Sequence, residues 1–221
     1  MVIIRYSSII CEIIAFIISL IVFKKNRGSF IQWMSLYLFY TLFTELSAAY
    51  LYYHLHKPTT ALHLWYHVVL IVFYTYVFKN LLVLNRLLGI STWSISSILV
   101  LSFMYIFYFL PNYVEYKFKL QIAEGFYLSI LSVIYLYQEF MDDNPEEFLL
   151  RKAGFWIAAG ILLFYSGESI VLALHPTASK NHIFILGLPV HIFFANILSV
   201  FLYTCLSIAM IVWKRPKTTI S

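Results

Sequence analysis

The feature that most constrains this chain is a succession of apolar runs. Several reach about 20 residues, the length at which a helix crosses a bilayer core. "SIICEIIAFIISLIVF" and "ISSILVLSFMYIFYFL" are two of them. A backbone without water must satisfy its own polar groups, so such runs form helices. Spans are expected at roughly 4–23, 30–53, 61–81, 93–110, 119–138, 153–174 and 186–213, to within a few residues. The breaks between them are "KKNRGS", "HKPTT", "LNRLLGIST", "PNYVEYK", "DDNPEEFLLRK" and "HPTASKNH". None is long enough to be a folded domain. Residues 1–221 therefore form a single all-α unit, a seven-transmembrane-helix bundle. Composition agrees: 62% of residues are hydrophobic and 11% charged, against about 25% charged in a soluble domain.

Basic residues set the orientation, because cytoplasmic loops collect Lys and Arg. With the first loop inside, that side holds Lys24, Lys25, Arg27, Lys79, Arg86, Arg151, Lys152, Lys214, Arg215 and Lys217. The outer side holds Arg5, Lys57, Lys117, Lys119 and Lys180. Ten against five places the N-terminus outside and the C-terminus inside. Trp33, Trp93, Trp156 and Trp213 fall at the expected inner helix ends, where indoles anchor. Basic residues follow the first apolar run, and no cleavage site is evident, so it reads as a retained helix. The +5 charge is a topology signal, and no nucleic-acid partner is expected. Cys11 and Cys205 lie inside spans and read as small apolar fillers.

Acids inside the spans carry the functional signal. "TLFTELSAAYLYYHLH" buries Glu45 in an apolar, aromatic run. Counting upward from each inner helix end, Glu12, Glu45, Glu124, Glu168, His63 and His67 all stand roughly 18–24 Å up. Intramembrane ionisable groups are costly and usually face the bundle interior or a wet cavity. Five helices bearing that cost at one depth point to one polar pocket opening outward. Its expected ligand-binding residues are Glu12, Glu45, His67, Glu124 and Glu168, with Asn196 from the last span. The plainer reading is that each acid bonds a neighbour, with 18 tyrosines available as partners. His191 counts higher, near the mouth, and His54, His56, His175 and His182 are expected in solvated outer loops.

"HLWYH" sets His63 and His67 on one helix face, a spacing that can share a metal. With a Glu ligand, a zinc-bound water could hydrolyse a lipid ester or amide. Seven-helix hydrolases of the ceramidase and adiponectin-receptor superfamily place an HxxxH on the last span, and this chain's last span has a single His. That span has no Lys for retinal. Neither Asp-Arg-Tyr after the third span nor Asn-Pro-x-x-Tyr in the seventh is present to support the mechanics of eukaryotic G-protein-coupled receptors. "SFIQWMSLYLFYTLFTELSAAYLY" and "RKAGFWIAAGILLFYSGESI" carry a different likeness. In their dense Phe, Ile and Tyr content they resemble uncharacterised bacterial seven-helix membrane proteins of Bacteroidota type. The resemblance implies a bacterial cytoplasmic-membrane protein and no particular chemistry.

Two further stretches read as structural. Gly154, Gly160 and Gly167 with three alanines give the sixth span small faces for close packing. "DDNPEEFLLRK" reads as a short helix capped by Asn144, with Pro145 in its first turn. The expected function is a receptor-like or sensory module with an unknown small ligand, signalling through a separate cytoplasmic or membrane protein. The alternatives are a zinc-dependent intramembrane hydrolase acting on lipid and an accessory subunit of a larger membrane complex. A transporter is weaker, because broken helices are few.

Overall fold

A computed structural model describes residues 2–23, 29–110, 113–141, 149–180 and 184–213. Seven helices account for almost all of them: α1 Val2–Phe23, α2 Gln32–Tyr53, α3 Thr60–Leu81, α4 Arg86–Phe109, α5 Tyr113–Phe140, α6 Ala153–Lys180 and α7 Val190–Val212. Helices α3 to α7 are each long and apolar enough to cross a membrane. Over Ser7–Phe23, α1 is apolar but shorter, and α2 is rich in tyrosine and carries Glu45.

The helices form a ring in chain order, each packed on the next, and α7 closes it against α1. Helix α3 also reaches across to α5. Its buried residues Leu64, His67, Ile71, Tyr74 and Phe78 recur every three or four positions, one continuous inward stripe.

The surface is inverted relative to a water-soluble bundle. On α4 the buried face is Thr92, Ser96, Leu99 and Phe103, while Ile98, Leu101, Tyr105 and Phe109 are exposed. Small hydroxyls inside can bond the preceding turn, as Thr92 does to the Leu88 carbonyl at 2.8 Å. Large apolar side chains outside suit hydrocarbon as solvent.

Helix ends differ from the sequence expectation in informative ways. Helix α4 starts at Arg86 rather than 93, because the Asn85 side chain accepts from the Leu88 N–H at 2.9 Å and caps it. Helix α5 starts at Tyr113 rather than 119, so Lys117 is helical and half-buried rather than a loop residue. Helix α6 runs through Pro176 to Lys180, which corrects the expected loop position of His175. His175 stacks on Phe118 at 5.3 Å and meets His191 edge-on at 4.6 Å. A two-strand ladder, β1 Phe184–Ile185 and β2 Leu188–Pro189, leads into α7, with Gly187 at φ 75° in its turn. The expected Asn144 cap lies outside the described residues, which resume with a 3₁₀ turn at Leu149–Arg151.

At the end of the bundle where α3 stops, Gln138 clamps the α3–α4 connection. Its amide accepts from the Val83 N–H and donates to the Val83 carbonyl, each at 3.1 Å. Beside it Lys152 donates to Glu139 at 2.5 Å, and Tyr135 donates to the same carboxylate at 2.8 Å.

Candidate functional site

Glu12 on α1 is fully buried. Helix α1 sits between α2 and α7, and the Glu12 carboxyl meets side chains from both. Glu45 and Thr41, one turn apart on α2, and Tyr203 on α7 lie within hydrogen-bonding range of it. Thr41 spends its hydroxyl on its own helix, donating to the Leu38 carbonyl at 2.9 Å. Among the described residues, neither Glu12 oxygen closes a well-aligned hydrogen bond. No described cation stands against this pair of acids.

A second centre forms across the ring, on α3, α5 and α6. His67 Nδ1 lies 2.9 Å from Glu124 Oε2, and both residues are buried. Gln121, one turn before Glu124, places its amide nitrogen 2.6 Å from His67 Nε2. Gln121 and Glu124 thus flank the two ring nitrogens of His67. Phe103 stacks flat on the imidazole at 5.2 Å and fixes its plane. Glu168 on α6 and Lys117 on α5 complete the group, with Lys117 close to both Glu168 and Glu124. Lys117, Gln121 and Glu124 stand at i, i+4 and i+7 on one face of α5.

Gly125 explains how Glu124 and Glu168 come so close. A Cβ there would run into the Ser169 hydroxyl and stand 2.9 Å from the Tyr165 carbonyl oxygen. The missing side chain lets α5 lie against the backbone of α6 beside both acids. Gly160 does the same between α6 and α7, where a Cβ would stand 2.8 Å from that of Cys205.

Buried tyrosines fill the space between the centres. Tyr37, Tyr74, Tyr165 and Tyr203 come from α2, α3, α6 and α7. Tyr74 packs edge-on against Tyr37 at 5.2 Å and Tyr165 at 6.0 Å. Tyr203 touches the Glu12 carboxyl, and Tyr165 lies in the field of Glu124 and Glu168. The Tyr74 hydroxyl, fully buried between them, lies within hydrogen-bonding range of Tyr37 but closes no well-aligned hydrogen bond among the described residues.

The single expected layer is thus two groups, Glu12 with Glu45 and His67 with Glu124 and Glu168. Asn196 belongs directly to neither, since its Oδ1 accepts from Ser8, one turn from Glu12, at 2.8 Å. His63 stands near His67 and Lys117 and is half-buried. Among the described residues, no three His, Cys, Asp or Glu side chains group in a way that would hold a metal. Lys117, Gln121, Gly125 and the tyrosines were not singled out from the sequence. The i, i+4, i+7 stripe through Glu124 was the available signal for the first two.

No family model, curated protein or solved structure matches this chain.

Proposed function

We propose that the chain is a receptor-like seven-helix membrane protein that binds a small ligand carrying a positive charge in its Glu/His layer. All seven helices cross the membrane in this reading, with the N-terminus outside and the C-terminus inside. The host membrane is the bacterial cytoplasmic membrane, in keeping with the resemblance noted above. A separate protein receives the signal.

The observation that carries the reading is the facing pair of acids, the buried Glu12 and the half-buried Glu45, without a cation among the described residues. Two carboxyls at hydrogen-bonding range cannot both stay charged and uncompensated in a low-dielectric interior. A proton resolves this in the empty state, and an ammonium or small cation resolves it in the bound state. The second centre supplies the route in. Lys117, His63 and Glu168 are half-buried rather than sealed and would line that route from the expected outer side. Ligand entry would then shift Tyr74 on α3 and Tyr203 on α7.

Thiol labelling tests this. In a Cys11→Ser, Cys205→Ala background, His63→Cys, Lys117→Cys and Glu168→Cys should each react with a membrane-impermeant reagent added outside, Glu168→Cys slowest. Failure of all three to react sinks the outward pocket. Elemental analysis of purified protein separates the zinc hydrolase, for which the HxxxH spacing remains the only support. About one zinc per chain, lost in His67→Ala, would replace the receptor reading. A stoichiometric co-purifying protein would favour the accessory subunit.

A further inference from the structure

Away from the polar layer, two recesses meet at Trp93. The first, about 490 Å³, is almost wholly apolar and is walled by Trp33, Trp93 and the Val68–Tyr76 face of α3. The second, about 650 Å³, adjoins it toward the α3–α4 connection and holds Lys79, Arg86, Ser94 and Ser97. Both belong to the outer surface of the bundle: Val72 is 43% exposed, and Lys79 and Arg86 are exposed.

The chain order makes this an amphipathic slot. On α3, Val69, Val72, Tyr76 and Lys79 recur every three or four residues, so an apolar stripe ends in a cation. On α4, Arg86, Ile90, Trp93 and Ser97 do the same in reverse, with the cation at the helix start. From Val68 to Lys79 is about 16 Å at helical rise, most of the length of an extended acyl chain. The Lys79 ammonium lies 5.8 Å from the Trp93 ring centre, at the level where indoles mark the headgroup region. Neither Lys79 nor Arg86 has an acidic partner among the described residues. Gly89 leaves the polar recess open, since a Cβ there would meet nothing within 4 Å.

We propose that this slot binds one anionic phospholipid of the surrounding bilayer, its phosphate held by Lys79 and Arg86 and one acyl chain laid in the Trp33–Trp93 groove. Charge complementarity selects the occupant. A zwitterionic lipid would leave two clustered cations without a net counter-charge, whereas basic clusters at helix ends attract anionic headgroups. Ser94 and Ser97 offer hydroxyl donors to the same phosphate. The site is independent of the Glu/His layer and stands or falls separately from the receptor reading.

The test uses the full chain in mild detergent. It is titrated with phosphatidylglycerol and with phosphatidylcholine of identical acyl chains, and bound lipid is counted by native mass spectrometry. Wild type should prefer phosphatidylglycerol, and each of Lys79→Gln and Arg86→Gln should weaken that lipid about five-fold. Phosphatidylcholine binding should be unchanged. Gly89→Phe fills the open recess without touching charge or packing, and should lower phosphatidylglycerol binding at unchanged thermal stability. Equal affinity for the two lipids in wild type would overturn the proposal. So would a preference that survives the double Lys79→Gln, Arg86→Gln variant, because the anionic lipid would then sit elsewhere. Glycerol phosphate binding as tightly as phosphatidylglycerol would also overturn it, since the groove would have no part.

Discussion

The two carboxyl centres use the same side chain in one bundle, and they solve its cost in opposite ways. At Glu124 the protein supplies its own partners: His67 at 2.9 Å, itself held by Gln121, and the cation Lys117 nearby. At Glu12 it supplies another acid, Glu45, and hydroxyls. The first centre is internally balanced and acts as structure. The second is left in debt to something from outside, a proton or a cation. That difference marks Glu12 and Glu45 as the pair that a ligand would change most, although Glu124 has the more conspicuous partners.

The largest expected effect breaks the balanced centre. Glu124→Ala leaves His67 buried with Nδ1 unpaired. Removing one partner of a buried pair costs about 3–5 kcal/mol, so thermal unfolding in detergent should shift sharply downward. Replacing both partners, His67→Leu with Glu124→Leu, should recover most of that loss, because neither group is then stranded. A single variant as stable as wild type would mean that the pair carries no structural weight, and the contrast between the centres would collapse.

A middle-sized effect comes from Gly125→Val. The added side chain meets Ser169 and the Tyr165 carbonyl, and a backbone oxygen cannot swing aside. Overpacking of this kind costs about 1–3 kcal/mol. The variant should also part Glu124 from Glu168 while leaving Glu12 and Glu45 alone. If it weakened ligand response as strongly as Glu45→Gln, the centres would be one unit rather than two.

Much of this was legible before any coordinates. The number of helices follows from the apolar runs, because a run of about 20 residues admits one structure in lipid. The height of each acid along its own helix follows from helical rise. What depth cannot give is rotation about each helix axis, so six ionisable groups at one level read as one pocket. The packing order α7–α1–α2 against α3–α5–α6 divides them, and that order is tertiary. Lys117 was missed for a different reason. "PNYVEYK" looks like a loop by polarity, yet α5 begins inside it. The four core tyrosines carried no mark among 18, because a tyrosine buried for its hydroxyl and one anchored at an interface read alike.

The smallest expected effect is the most diagnostic. Glu12→Gln removes one acid from the facing pair and keeps its shape and its hydrogen-bonding capacity. If the pair were an ordinary polar brace, the change would cost about 1 kcal/mol, as for a lost interhelical hydrogen bond. If the pair instead holds a proton in the empty state, an amide facing Glu45 takes that proton's place, because its N–H₂ donates to the remaining carboxylate. Stability of the ligand-free protein should then hold or rise, by about 1 kcal/mol at most. The sign is therefore opposite to that of Glu124→Ala, although both changes remove a fully buried glutamate. Melting curves of the two variants, run side by side with wild type in the same detergent, read this directly. Glu12→Gln falling as far as Glu124→Ala would show that Glu12 has a counter-charge of its own. The ligand-demanding pair would then have to be sought at Glu168, the half-buried acid of the other centre.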